Sequence, residues 1–249
     1  MGQLDGKTAV VTGGSTGIGL AAAKRLAEHG AHVFIMGRRP AQVDAAVTAI
    51  GDSATGITGD VTSDADLDRL YDAVRARGRG LDVVFANAGG GEFAPLEQVT
   101  AQHFDTTFGL NVKALLFTVQ KALPLLNDPA SVILTGSTAG SAGQPSFGVY
   151  GASKAAVRSL ARTWAVELKD RGVRVNTLSP GPIETPGLSG LAAGEQQARQ
   201  LRQALIAQVP LGRMGRTEEV ADAVLFLASG QSSFITGAEL FVDGGMNQV

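Results

Sequence analysis

Residues 8–19 read Thr-Ala-Val-Val-Thr-Gly-Gly-Ser-Thr-Gly-Ile-Gly, an apolar β-branched run that breaks into a glycine-rich turn. Glycines at 13, 17 and 19 let the backbone turn sharply and approach a ligand closely. The helix predicted to follow, over 18–29, presents unpaired N–H groups and positive potential at its start, where a pyrophosphate can bind. The spacing is G-x-x-x-G-x-G, not the longer G-x-G-x-x-G dinucleotide fingerprint. Strand, glycine turn and helix in this order open a βαβ unit.

The rest of the chain repeats the rhythm. Apolar runs at 8–12, 32–36, 55–58, 83–86, 131–135, 174–178 and 239–242 predict strands, and helical patterns cover 18–29, 41–50, 64–77, 101–126, 150–169 and 218–228. The strand runs are apolar throughout, as expected when helices cover both faces of a parallel sheet. The expected fold is therefore α/β, a Rossmann-type doubly wound parallel sheet of about seven strands with helices on both faces. With 249 residues, 44% of them hydrophobic, and no linker or charge block, the chain reads as one domain over 1–249. Pro182, Pro186 and Pro210 interrupt the rhythm around a helical stretch at 191–208. An insertion at 182–212, near the strand ends, is placed to act as a substrate loop or lid, or as a helix that packs and never moves.

Composition excludes several functions. A net charge of −2 and a pI of about 5.9 leave no electrostatic footprint for nucleic acid. Arg75, Arg77 and Arg79 fall at a helix end, where cations complement the helix dipole. There are no cysteines, no leader-like N-terminal segment and no apolar run of membrane-spanning length. The expectation is a soluble, cytoplasmic protein with no membrane partner. His29, His32 and His103 lack metal-ligand spacing, so no catalytic metal is expected. Gly13-Gly-Ser15-Thr-Gly17 also matches the G-x-S-x-G nucleophile elbow. A hydrolase would need a histidine late in the chain, however, and none follows His103.

Tyr150-Gly-Ala-Ser-Lys154 carries the chemistry. Residues four apart share one side of a helix, so a phenol and an ammonium can meet in one site. A nearby cation lowers a phenol pKa and fits it to exchange a proton with a carbonyl or alcohol oxygen. A site for NAD usually places an acidic residue about 20 residues beyond the glycines. Here the second strand instead ends Gly37-Arg38-Arg39, and arginine grips a 2′-phosphate through charge-assisted bonds. NADP(H) is thus expected as the cofactor, with a solvated loop as the alternative role of the two arginines.

Together these segments resemble the short-chain dehydrogenase/reductase family, nearly end to end. The motifs that carry the likeness are T-G-x-x-x-G-I-G at 12–19, Asp60-Val61, Asn87-Ala-Gly89, Asn111, Ser137, Tyr150 with Lys154, Pro180-Gly181, and Val242-Asp-Gly-Gly245. The resemblance implies an NADP(H)-dependent oxidoreductase interconverting a ketone or aldehyde and an alcohol, with Asn111, Ser137, Tyr150 and Lys154 as catalytic residues. It further implies cofactor contacts at Gly13, Ser15, Thr16, Gly17, Ile18, Gly19, Arg38, Arg39, Asp60, Val61, Asn87, Ala88, Gly89, Tyr150, Lys154, Pro180, Gly181, Ile183 and Thr185. Within that set Asp60 and Val61 would flank the adenine, and Ser15 and Thr16 would lie by the adenosine ribose and its phosphate. Pro180, Gly181, Ile183 and Thr185 would line the nicotinamide. Ser137 would hydrogen-bond the substrate carbonyl and Tyr150 would protonate it. Lys154 would hold the nicotinamide ribose and lower the Tyr150 pKa, and Asn111 would anchor a water. Two positions depart from the family pattern: Ala86 stands where Asn is usual, and Thr16 where many NADP-dependent members carry a basic residue. Alternatives are an NAD-dependent alcohol dehydrogenase of the same family or a non-catalytic NADP-binding sensor. The resemblance also implies a homotetramer built through helices near 101–126 and 150–170 and the last strand.

The loops at 89–95, 138–149 and 186–212 should face the substrate, with Phe93, Phe147, Leu188 and Leu191 as apolar candidates. No lysine or arginine in the first two loops offers an anion anchor. A modest, mostly apolar ketone or aldehyde is expected, with a ketoester on an acyl carrier protein as the alternative.

Overall fold

The computed structural model describes residues 2–189 and 194–249, with no side-chain description at Ser189. Seven parallel strands form a single sheet in the order β3-β2-β1-β4-β5-β6-β7. They span Thr8–Thr12 (β1), His32–Gly37 (β2), Ala54–Thr58 (β3), Leu81–Ala86 (β4), Leu126–Thr135 (β5), Arg174–Pro180 (β6) and Glu239–Val242 (β7). All seven predicted strands are present. β5 begins earlier than expected, pairing Leu126 with Leu81 across a register irregularity that precedes Val83.

Helices lie on both faces. Residues that alternate along a strand point to opposite sides, and β1 separates its side chains this way. Val10 joins one core with Leu67, Leu70 and Val74 of α3 (Asp64–Ala76), Leu115 and Val119 of α5 (Leu115–Ala122), and Val157 and Ala161 of α6 (Gly148–Glu167). Ala9 and Val11 join the other with Ala22 and Leu26 of α1 (Gly17–Glu28), Ala46 of α2 (Pro40–Ile50), and Val220 and Val224 of α9 (Thr217–Ala228). Central strand residues such as Val10, Val11, Ile35 and Phe85 are fully buried, which explains their uninterrupted apolar sequence. From β1 the chain winds outward through β2 to β3, then crosses back to β4 on the other side of β1 and winds the opposite way. A crevice opens beyond the strand carboxyl ends at such a switch point.

The helix expected over 101–126 is not uniform. α4 (Ala101–Phe108) runs into a π-helical turn at Gly109–Ala114 before α5, and a 3₁₀ turn at Leu123–Leu125 closes it. Such wide turns cluster at functional sites, and this one carries Asn111. In the 182–212 insertion, α7 (Pro186–Ser189) precedes α8 (Glu195–Ile206). α7 escaped the periodicity because it is four residues long and begins on a proline. Leu191 lies outside the described residues. No helix among the described residues is long and apolar enough to cross a membrane.

Candidate active site

A cleft of about 590 Å³ runs along the carboxyl ends of the strands. It is walled by the residues the sequence singled out: the glycine turn with Ser15, Thr16 and Ile18, then Arg38 and Arg39, Asp60 and Val61, and Asn87 to Gly89. Ser137, Tyr150, Lys154, Pro180, Gly181, Ile183 and Thr185 complete the wall. Among the expected catalytic residues, Asn111 alone does not line it.

The glycine turn fits a pyrophosphate by shape. Gly13 and Gly17 have φ of +63° and +54°, the left-handed region that side chains disfavour. A Cβ at Gly19 would stand 2.1 Å from the Gly13 carbonyl. Thr16 caps α1 without a side-chain hydrogen bond, so the first-turn N–H groups are not claimed by the cap. Below the turn, Thr12 Oγ1 accepts from the Asn87 and Ala88 N–H groups at 3.0 and 3.1 Å, and Asn87 Nδ2 donates to the Thr12 carbonyl at 3.0 Å. These bonds tie the β1 and β4 ends into one rigid floor.

At the far end of the cleft, a Cβ on Gly37 would stand 2.6 Å from Ser15 Oγ. Any side chain at 37, an acidic one included, would displace Ser15. Arg38 and Arg39 beside it are exposed and form no ion pair among the described residues. Asp60 is occupied locally, its Oδ1 accepting from the Thr62 N–H and hydroxyl at 2.9 and 2.8 Å. Glycine cradle and open helix start together suit a dinucleotide, with the two guanidinium groups exposed at the end of β2.

At the other end, α6 places Tyr150 in its first turn and Lys154 one turn on. The Lys154 ammonium is buried, 5.6 Å from the Tyr150 ring centroid, and donates to the Thr135 carbonyl at 2.9 Å. Burial pushes it down to about 8. Burial also pushes the Tyr150 phenol up, and the neighbouring Ser137 hydroxyl pulls partly back. Here the structure departs from expectation: the phenol lies above its ordinary value rather than below. The physical reason is that desolvation disfavours the phenolate, while Lys154 directs its donor to a backbone carbonyl.

Asn111 is fully buried behind this pair. Its Nδ2 donates to the Gly90 carbonyl at 2.8 Å and to Ser153 Oγ at 3.0 Å, and its Oδ1 accepts from Gly90 N–H at 3.0 Å. Ser153 donates in turn to the Tyr150 carbonyl at 2.7 Å. Asn111 thus links the 89–91 loop to the start of α6. A Cβ at Gly89 would lie 2.9 Å from Asn111 Oδ1 and 3.2 Å from Lys154 Nζ, so only bare backbone fits there.

Sequence reasoning missed two groups. Leu110 also lines the cleft; its side chain matches no motif, and only tertiary packing brings it in, whereas Gln144 and Leu205 reach the cleft from the 138–149 and 186–212 segments expected to face the substrate. The second group centres on Glu239 of β7. Ser179 donates to its Oε1 at 2.7 Å, Arg158 of α6 pairs with its Oε2 at 3.2 Å, and Ser141 lies 3.4 Å from the same oxygen. A Cβ at Gly136 would stand 2.3 Å from Ser179 Oγ, so this carboxylate braces the segment bearing Ser137. None of the three histidines lines the cleft, which leaves Ser15 without the base a hydrolase needs. Among the described residues no group of three metal-ligating side chains is assembled.

Comparison with known proteins agrees with this geometry. A family model described as Enoyl-(Acyl carrier protein) reductase matches residues 13–247. "Oxidoreductase asL5" of Sarocladium schorii is 52% identical over 99% of this chain and 98% of its own length. The "NADP-dependent (R)-specific alcohol dehydrogenase" of Lentilactobacillus kefiri is 34% identical over 98% and 97%. A mutant of a Serratia marcescens short-chain dehydrogenase/reductase superposes with a TM-score of 0.89 at 33% identity, over 98% of this chain and 99% of that one. Sequence likeness along nearly the whole chain and superposition of the whole sheet make this protein an oxidoreductase of the short-chain dehydrogenase/reductase family.

Proposed function

We propose that the protein is an NADP(H)-dependent carbonyl reductase that interconverts a ketone or aldehyde with its alcohol. The observation that carries this reading is the convergence of Ser137, Tyr150 and the buried Lys154 in the same cleft as the glycine turn and the exposed Arg38 and Arg39. The name of the Lentilactobacillus relative supports NADP over NAD. Bound NADPH would supply the hydride, held by the glycine turn and by Arg38 and Arg39 at its 2′-phosphate.

Each side chain then has a definite task. Ser137 and Tyr150 aim donors at the carbonyl oxygen, where negative charge develops as the carbon is reduced. Tyr150 gives that oxygen its proton. An alkoxide is more basic than a phenolate, so a phenol above its ordinary pKa still transfers the proton downhill. The same high value keeps Tyr150 protonated at neutral pH, which favours reduction; oxidation needs the phenolate and gains with rising pH. Lys154 would hold the nicotinamide ribose, and Asn111 holds the loop and helix start that frame the pair. Exposed Phe104, Val166 and Phe234 support the accompanying proposal of a homotetramer.

Tyr150→Phe tests the assignment. It should bind NADPH as the wild type does and lose about 10²- to 10⁴-fold in carbonyl turnover, the usual worth of a positioned general acid. Undiminished turnover would remove Tyr150 as the donor.

A further inference from the structure

Beyond the reaction class, and resting on the reductase reading, the geometry points to the kind of carbonyl compound this site takes: we propose a neutral, flat aromatic ketone or aldehyde, selected by Phe93 and Phe147. The chain is poor in aromatics, with 10 phenylalanines and two tyrosines among its 249 residues. Yet three rings are gathered at the reacting end of the cleft. Phe147 stacks on Tyr150 with centroids 4.3 Å apart and planes 24° apart, and Phe93 lies 4.7 Å from Phe147 at 31°. The ladder leads outward from the phenol to Phe93, which is 46% exposed. A large apolar ring left that open in a cleft wall is a face still to be covered.

The surroundings restrict what can cover it. A Cβ at Gly91 would stand 2.4 Å from Tyr150 Cδ2 and 3.1 Å from Phe147 Cε2. Bare backbone therefore presses against the ring edges and holds the ladder in register. The charged side chains lining the cleft are Arg38, Arg39, Asp60 and Lys154. The first three belong to the adenosine end, and Lys154 is engaged with the Thr135 carbonyl. Among the described residues that line the cleft, no cation is left to welcome a carboxylate or phosphate beside the aromatic ladder. Burying such a group unpaired is costly. A planar ring conjugated to the carbonyl can instead lie against the open side of Phe93, which Phe147 holds in place, while its oxygen meets Ser137 and Tyr150. Offset stacking is worth about 2- to 10-fold in affinity per ring pair beyond area burial.

Acetophenone and cyclohexyl methyl ketone form the test pair, since they differ chiefly in ring planarity and π character. With saturating NADPH, kcat/KM should favour acetophenone by roughly tenfold. Phe93→Leu and Phe147→Leu should each bring that ratio toward one, chiefly through KM, with the KM for NADPH unchanged. Saturation-transfer NMR on the enzyme–NADP⁺ complex should show stronger contact for acetophenone, and weaker contact in both variants. A wild-type ratio at or below one, or a ratio that neither variant alters, would overturn the aromatic assignment and leave the reductase reading intact. Failure to oxidise NADPH with either ketone, or with any aldehyde or ketone of a broader panel, would sink both.

Discussion

Replacing Lys154 by methionine should flatten part of the protein's pH–stability curve, by an amount that follows from where the ammonium lies. Lys154 is 3% exposed, and burial lowers it from 10.5 to about 8. Between those two values the unfolded chain holds more protons than the folded one, so stability rises with pH through that window. At pH 7 the charged, buried ammonium costs about 3 kcal/mol relative to the same group in water. At pH 9.5 about 2 kcal/mol of that cost is relieved, because the folded-state amine has become neutral. For a chain of this length the relief corresponds to roughly 4–8 °C in Tm. Lys154→Met keeps the volume of the side chain and removes the titration. The assay is urea unfolding of both proteins, without cofactor and at equal concentration, at pH 7 and pH 9.5. Other titrating groups cancel in the difference between the two proteins. That difference should move by about 2 kcal/mol in favour of the wild type as the pH is raised. A difference that stays constant within about 0.5 kcal/mol would show that the ammonium does not carry the burial cost assigned to it.

Four further substitutions probe the adenosine end of the cleft and its brace. Arg38→Ala should raise KM for NADPH by about tenfold or more while scarcely changing KM for NADH, as expected from the loss of a charge-assisted phosphate contact; equal shifts would remove the 2′-phosphate contact. Gly37→Asp should also weaken NADPH selectively, because its Cβ would meet Ser15 Oγ at 2.6 Å and its carboxylate would repel the phosphate; steady-state kinetics with both cofactors checks this. Glu239→Ala should cost about 1–3 kcal/mol of unfolding free energy and lower kcat by loosening the segment bearing Ser137. Glu239→Gln should recover part of both losses, since its amide oxygen can still accept from Ser179; denaturation and turnover measured together would expose a loss of one without the other.

Some of this was legible from residue order alone. Alternation of short apolar runs with helical periods defined the seven strands, because a parallel strand buried on both faces needs apolar side chains throughout. The glycine turn, Tyr150 with Lys154, and Arg38 with Arg39 were visible for a related reason: each works through neighbours close in sequence, one helical turn or one strand end apart. What lies across the sheet was not visible. Glu239 braces Ser179, Ser141 and Arg158, elements far apart in the chain. Leu110 reaches the cleft from the widened turn that also carries Asn111, whose side chain bonds to Gly90 and Ser153 far along the chain.

The pKa of Tyr150 shows most clearly where residue order stops being informative. Four-residue spacing correctly put the phenol and the ammonium on one side of α6, since helix geometry is local. Whether the ammonium would lower the phenol depended on how far each is withdrawn from water and where the amine sends its donor. Desolvation and a backbone carbonyl on a neighbouring strand answered that. Sequence alone determined which groups meet; only the folded packing around them decided their protonation, because the free energy of a buried charge depends on every neighbour that replaces its water.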